Sequence, residues 1–354
     1  MKQFRILIPF IFTPFLLQAE STKIQANSEN IHVSGLKYTT ADPDELTLQR
    51  FRPDILQIPS SKLGVNPDKA RNPSGGIISF ATDSPSWTAR FHVSISNYMG
   101  SGFGVFENGQ LVKEFKYSPK EKDIDFNITA GKKGTSVFEI ALPSYSTVEF
   151  RGLEIKKGHE LKPHTPAEKP VYVALGDSIS HGSGQDGYGH KTWPFLLSRK
   201  LNMELYNLAV GGGKISVPVA EMLEDWATIN LVTILVGYNG LHFNGKSPEQ
   251  YTNDYAALLD SIRKNHPTTK VVCISLLYTR KQVSEKTGHT VDQYRKALET
   301  LIMKRQSTDP NLVFIPGETI SSEKNLRTDN PNDPVHLGIE GAAKLADELY
   351  KILR

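Results

Sequence analysis

A single cysteine among 354 residues, Cys273, removes two classes of protein at once. Without a second thiol there is no intrachain disulfide framework and no thiolate cage for a metal. Cys273 lies inside the apolar run KVVCISLL, so it reads as core packing rather than as a nucleophile. Net charge is scarce as well. Lys plus Arg number 41 and Asp plus Glu 38, a formal +3, and setting aside Lys2 and Arg5 at the amino terminus leaves 3 − 2 = +1. With no basic cluster able to neutralise successive phosphates, nucleic acid is not an expected partner. Past residue 19 there is no apolar run long enough to span a bilayer.

The one long apolar stretch is at the start. MKQFRILIPFIFTPFLLQA places Lys2 and Arg5 before an apolar segment that ends in Leu17-Gln18-Ala19, a small-residue cleavage context. Two prolines interrupt it, and at about 13 residues it is shorter than the roughly 20 a spanning helix needs. Residues 1–19 read as a secretory signal peptide, and the mature chain is expected in the periplasm or the medium, with no membrane span after cleavage.

What remains falls into two halves of different period. From about 30 to 156, short strand-like runs such as GIISFAT, WTARFHVSI, GFGVFE and DIDFNIT recur every ten or so residues between turn residues, which predicts a β-sandwich over 20–156. Asn108-Gly109 between two alternating runs supplies the positive φ angles of a type I′ hairpin. The charged stretch 157–170 contains three prolines and reads as the linker. After it, apolar strands near 171–175, 204–208, 231–236, 270–276 and 312–315 alternate with helical segments, a repeated βα pattern that predicts a parallel sheet covered by helices.

Three motifs compete for the loops of this second half. Gly182-Ser183-Gly184-Gln185-Asp186-Gly187 fits G-x-G-x-x-G, with Glu204 further on, but it begins seven positions after Leu175, where a dinucleotide fingerprint needs its first glycine directly off the strand. It reads as a flexible lip. Residues 240–247, GLHFNGKS, fit a phosphate loop, yet Leu241, His242 and Phe243 are bulky where a phosphate nest needs freedom, and the next strand ends without an Asp for magnesium.

The third motif is Gly176-Asp177-Ser178, directly off the first strand. A serine hydroxyl needs a base to take its proton and donors for the oxyanion that forms. NLAVGGG after the second strand offers glycine N–H groups, GYNG after the third offers the Asn239 amide, and DPVH after the last places Asp333 three residues before His336. All sit at carboxyl ends of parallel strands, which form the ligand crevice of an open parallel sheet. Ser178 could otherwise cap a helix and His336 lie on the surface, but their joint order favours a nucleophilic site.

These blocks, LGDSIS, NLAVGGG, VGYNG and DPVH, resemble the SGNH, or GDSL-type, hydrolase superfamily over residues 171–354. The resemblance implies a flavodoxin-like three-layer α/β/α domain, no cofactor and no metal. It also implies Ser178 as nucleophile, His336 as base, Asp333 as its support, and an oxyanion hole from the N–H groups of Ser178 and Gly212 with the Asn239 amide. Two positions depart from the family's usual pattern. Gly240 stands where an Asp commonly follows the Asn, and Leu337 where a proline follows the histidine.

A sandwich ahead of such a domain is similar to two-domain exported carbohydrate esterases with a jelly-roll module. That similarity implies a serine esterase acting on O-acetylated sugar or glycan. Tyr238, His242, and His181 to His190 are candidate rim residues for the sugar. A lipid or aryl esterase, an acyltransferase, and a glycan-binding protein without activity are the alternatives. Oligomeric state is not legible in the sequence.

Overall fold

The structure, a computed structural model, describes residues 21–95 and 101–354; the signal-peptide reading of 1–19 lies outside them. The first half builds two antiparallel six-stranded sheets. One runs Thr40–Ala41, Leu46–Thr47, Thr147–Lys156, Ser86–Ile95, Asp123–Thr129, with Ser21–Ile24 also on Thr147–Lys156. The other runs Leu161–Lys162, Ile77–Thr82, Ser136–Ala141, Gly102–Glu107, Gln110–Lys116, with Ile31–Ser34 also on Ile77–Thr82.

Alternation of side chains decides which face is buried. In DIDFNIT, Ile124, Phe126 and Ile128 point inward and the four polar residues outward. The inward faces meet over an aromatic core that includes Phe80, Trp87, Phe91, Phe103 and Phe138. Asn108 and Gly109, at φ 50° and 80°, form the two-residue turn between Glu107 and Gln110, as the Asn-Gly pair predicts.

The second half carries a five-stranded parallel sheet of Val171–Gly176, Glu204–Asn207, Leu231–Leu235, Lys270–Ile274 and Leu312–Ile315. In that chain order the strands lie 2-1-3-4-5 across the sheet, the flavodoxin-like arrangement. Every residue of the central strand Leu231–Leu235 is buried, as befits a sheet covered on both faces. Cys273 is fully buried on the fourth strand, and burial pushes its thiol up to about 12. The last helix, Ile339–Leu353, places Ala342, Leu345, Ala346 and Leu349 on one inward stripe.

The phosphate-loop lookalike dissolves into capping. Ser247 caps helix Pro248–Asn265 in a reciprocal box with Gln250, and Lys246 is ion-paired with Asp254.

The division between the halves is less clean than the period change implies. Residues 48–76 add no strand to the sandwich. They fold into short helical turns, Ser60–Leu63 and Pro67–Ala70, and place Phe51, Ile55, Leu63, Val65 and Ala70 in the same core as the parallel sheet. Arg52 reaches Glu224 at 3.0 Å across this junction. The linker is likewise tethered, since Leu161–Lys162 pairs with Ile77–Thr82.

Gly189 marks how closely the halves approach. A Cβ added there would stand 2.2 Å from the main-chain oxygen of Leu142, an atom that cannot swing aside. Gly189→Ala is therefore expected to destabilise the protein by about 1–3 kcal/mol, the usual range for overpacking. A denaturant melt checks this, and an unchanged midpoint would mean the junction yields freely.

Candidate active site

The first parallel strand ends at Gly176, and Asp177 caps the short helix Ser178–His181 by accepting from the Ile179 N–H at 3.0 Å. Ser178 stands half-buried at the start of that helix, where its own N–H is one of the donors a helix leaves unpaired. From the far end of the chain, His336 brings Nε2 to 2.8 Å from Ser178 Oγ. Its Nδ1 is 2.8 Å from Asp333 Oδ2.

Asp333 is held by its own turn. Its Oδ1 accepts from the N–H groups of Val335, at 3.1 Å, and His336, at 3.0 Å. Arg280 Nη1 donates to the Asp333 carbonyl oxygen at 3.0 Å. Arg327 approaches the carboxylate to 3.7 Å. Burial alone would favour the neutral acid, but the hydrogen bonds and charge of His336 and the two backbone N–H groups outweigh it. The carboxyl is thus held far below the usual carboxylate range. A carboxylate ionised at every working pH fixes the imidazole with Nδ1 protonated, leaving the Nε2 lone pair toward serine.

The second strand delivers the glycine loop. Val210 N–H donates to Gly176 O at 3.2 Å, which ties this loop beside Ser178. Gly212 is exposed at φ 79°, and among the described residues its N–H has no hydrogen-bond partner. From the third strand, Asn239 Nδ2 donates one hydrogen to Gly213 O at 2.9 Å and keeps a second. The relay of Ser178, His336 and Asp333 and the two loops that carry Gly212 and Asn239 thus lie at the carboxyl ends of the parallel strands.

Asp177 beside them behaves differently. It is wholly buried, and desolvation raises its carboxyl to about 6 despite the Ile179 N–H and the nearby His336. A raised folded value means stability that is full below the unfolded pKa, 3.8, and is lost as pH climbs through about 6. At roughly 1.4 kcal/mol per unit, this shift of about two units costs on the order of 3 kcal/mol at neutral pH. Asp177→Asn, whose side-chain oxygen can keep the cap, is expected to raise the melting temperature at pH 7.5 and leave it unchanged at pH 3.5. Equal effects at both pH values would contradict this.

All four expected rim residues are buried. Tyr238 and His242, at 6% and 5% exposure, pack together beside the Asn239 turn, ring centroids 4.4 Å apart, and Phe243 next to them is 62% exposed. His181 and His190 are buried elsewhere. His181 is fully buried and its Nδ1 accepts from the Gly211 N–H at 2.9 Å; desolvation and the charges of Arg50 and Lys69 keep it neutral. His190 is buried between the two halves with Nε2 2.6 Å from Glu114.

The glycine-rich lip between them is packed scaffold. Gln185 Nε2 donates to Leu337 O at 2.7 Å, Ser144 N–H to Gly187 O at 2.8 Å, and a Cβ on Gly184 would lie 2.1 Å from Leu337 O. Its glycines permit close approach rather than motion.

Several contributors escape sequence reasoning because they come from the first half. Ser74 Oγ donates to His181 O at 3.0 Å, and Tyr145 OH lies 2.5 Å from Ser183 Oγ with its ring 4.2 Å from that of His181. Arg50 is buried beneath the glycine loop. Only a serine, a tyrosine and an arginine between ordinary strand runs mark these positions in the sequence.

The GDSL-like Lipase/Acylhydrolase family profile matches residues 174–344. No curated protein matches the chain in sequence. Among solved structures, the salicylyl-acyltransferase SsfX3 from a tetracycline biosynthetic pathway superposes with TM-score 0.80 at 19% identity, over 93% of this chain and 95% of that one. A GDSL-like lipase from Bacteroides ovatus gives 0.74 at 19%, over 93% and 96%. A family two carbohydrate esterase from Cellvibrio japonicus gives 0.67 at 16%, over 95% and 97%. Such identities speak for a shared two-part fold. The α/β half of this chain, with its Ser178, Asn239 and His336 blocks inside the matched span, is a GDSL-like lipase/acylhydrolase domain.

Proposed function

We propose that this chain is an exported serine esterase that removes O-acyl groups, above all O-acetyl, from carbohydrate. The observation that carries the catalytic part is the unbroken relay from Ser178 Oγ to His336 Nε2 and from His336 Nδ1 to Asp333, each contact 2.8 Å.

In the first step Ser178 Oγ attacks the acyl carbonyl while His336 Nε2 takes its proton, and Asp333 stabilises the imidazolium that results. The oxyanion accepts from the Ser178 and Gly212 N–H groups and from the second hydrogen of the Asn239 amide. His336 then returns the proton to the departing sugar oxygen, which leaves an acyl-serine. Water, deprotonated by the same imidazole, attacks that ester and frees the acid and Ser178.

The carbohydrate assignment draws on the two-part architecture shared with a carbohydrate esterase and on the exposed ring of Phe243, backed by Tyr238, where a sugar face can lie. Export rests on the sequence of residues 1–19, and no helix among the described residues is long and apolar enough to cross a membrane. An acetate-release screen on acetylated xylan, mannan, pectin and sialoglycans, with Ser178→Ala as control, tests the substrate class. Release from at least one of them, absent in the control, is the expected result. Octanoyl esters cleaved as fast as acetyl would contradict the acetyl preference.

A second reading, acyl transfer to an alcohol, is favoured by the likeness to SsfX3. It predicts that an added acceptor alcohol captures most of the acyl group in place of water.

A further inference from the structure

Arg50 is buried to 1% exposure although it carries a full charge, and it belongs to the first half of the chain. Among the described residues its guanidinium meets no carboxylate. It donates instead to four main-chain carbonyl oxygens: Nε to Asn72 O, Nη2 to Lys69 O at 3.2 Å, and Nη1 to both Asn207 O and Ala209 O, the latter at 2.9 Å; Nη2 also lies 3.4 Å from His181 Nε2. Two of those carbonyls are on the 66–72 turn of the N-terminal module. The other two are at the end of the second parallel strand, Asn207, and on the loop that leaves it and continues to Gly212.

Burying an ion without a counter-charge is expensive, and an apolar side chain would pack the same junction at less cost. Burial lowers the Arg50 guanidinium to about 9, so it remains a cation at neutral pH. What it gains is geometry. A planar fork with five donors fixes several carbonyls in one orientation, which neither a lysine nor an apolar residue can do.

The neighbours extend the same hold. Asn207 Nδ2 donates to Ser180 O at 2.9 Å and to Ser74 Oγ at 3.2 Å, and the Ala209 N–H donates to Asn207 Oδ1 at 3.1 Å. At the next position but one, the Gly211 N–H is taken by His181 Nδ1. The peptides on either side of Gly211 are thereby turned, and the next N–H along the chain, that of Gly212, is left for the substrate.

We propose that Arg50, supplied by the 48–76 segment that the first half of the chain packs into the parallel-sheet core, is a positioning residue for the oxyanion donor Gly212, so that the first half completes the catalytic site rather than only accompanying it. This rests on the esterase reading above. Arg50 touches no reacting atom; it acts through the Asn207–Gly211 main chain.

The test compares wild type, Arg50→Met, Arg50→Lys, His181→Phe and Ser178→Ala as full-length chains, with 4-nitrophenyl acetate as substrate and diethyl 4-nitrophenyl phosphate as a serine-directed reagent. A displaced donor should lower kcat of Arg50→Met about 100-fold, the scale of a misplacement near 1 Å, with KM within about threefold. Phosphorylation of Ser178 should slow with it, because that transition state uses the same donors, while the pH midpoint of kcat/KM stays in place. Arg50→Lys should recover part of the loss. His181→Phe keeps a ring but removes the acceptor for Gly211, and should show the same split between kcat and KM.

A folded Arg50→Met with wild-type kcat, or with a change in KM alone, overturns the proposal. Should Arg50→Met not fold, wild-type kcat in both Arg50→Lys and His181→Phe overturns it equally. Failure of the esterase reading looks different: wild type itself would be inactive on the ester, or Ser178→Ala would retain the activity.

Discussion

Ser178→Ala is expected to lower ester hydrolysis by about 10⁴–10⁶-fold with no loss of fold. The hydroxyl is half-buried at the first position of a short helix whose cap is Asp177, so its removal leaves the Asp177–Ile179 hydrogen bond and the main-chain path intact. What disappears is the atom that His336 Nε2 is placed to deprotonate at 2.8 Å. Residual hydrolysis would come from water attacking a carbonyl still polarised by Gly212 and Asn239. Turnover within tenfold of wild type, with a native melting profile, would mean that another group carries the acyl chain.

Asp333→Asn is expected to cost about 10⁴-fold in kcat, with KM little changed. The amide can keep its oxygen toward the Val335 and His336 N–H groups, so the turn persists. Its NH₂ then faces His336 Nδ1, which must accept rather than donate, and the proton moves to Nε2, where it blocks the approach to serine. The negative charge that stabilises the imidazolium is lost as well. Steady-state kinetics on an acetyl ester check this, and a loss below tenfold would mean that solvent can orient the imidazole unaided.

The residues of the relay were legible because sequence carries both halves of the inference. Apolar runs locate the strands, and the chemistry-bearing residues follow those strands at their carboxyl ends, where topology gathers them. Ser178, Gly212, Asn239, Asp333 and His336 meet for that reason. The 2-1-3-4-5 order and the hairpin at Asn108-Gly109 follow from equally local signals.

Contacts between the halves were not legible, since nothing local says which face of one module meets the other. His181 and His190 look like loop residues in sequence, and each is buried at that junction. Arg50 looks like a surface charge and is a buried clamp. The segment 48–76 sits between strand runs and packs with the distant sheet instead. Glycines between 182 and 187 suggested motion, whereas a Cβ at Gly184 would collide with Leu337, a contact only tertiary structure supplies.

The central claim is that Ser178 carries the acyl group. Intact mass and peptide mapping after reaction with diethyl 4-nitrophenyl phosphate test it most directly. The account requires one diethylphosphoryl group per chain, on the peptide holding Ser178 and absent from Ser178→Ala, with esterase activity lost in step with labelling. A label on any other residue, or full activity in the labelled protein, would contradict it.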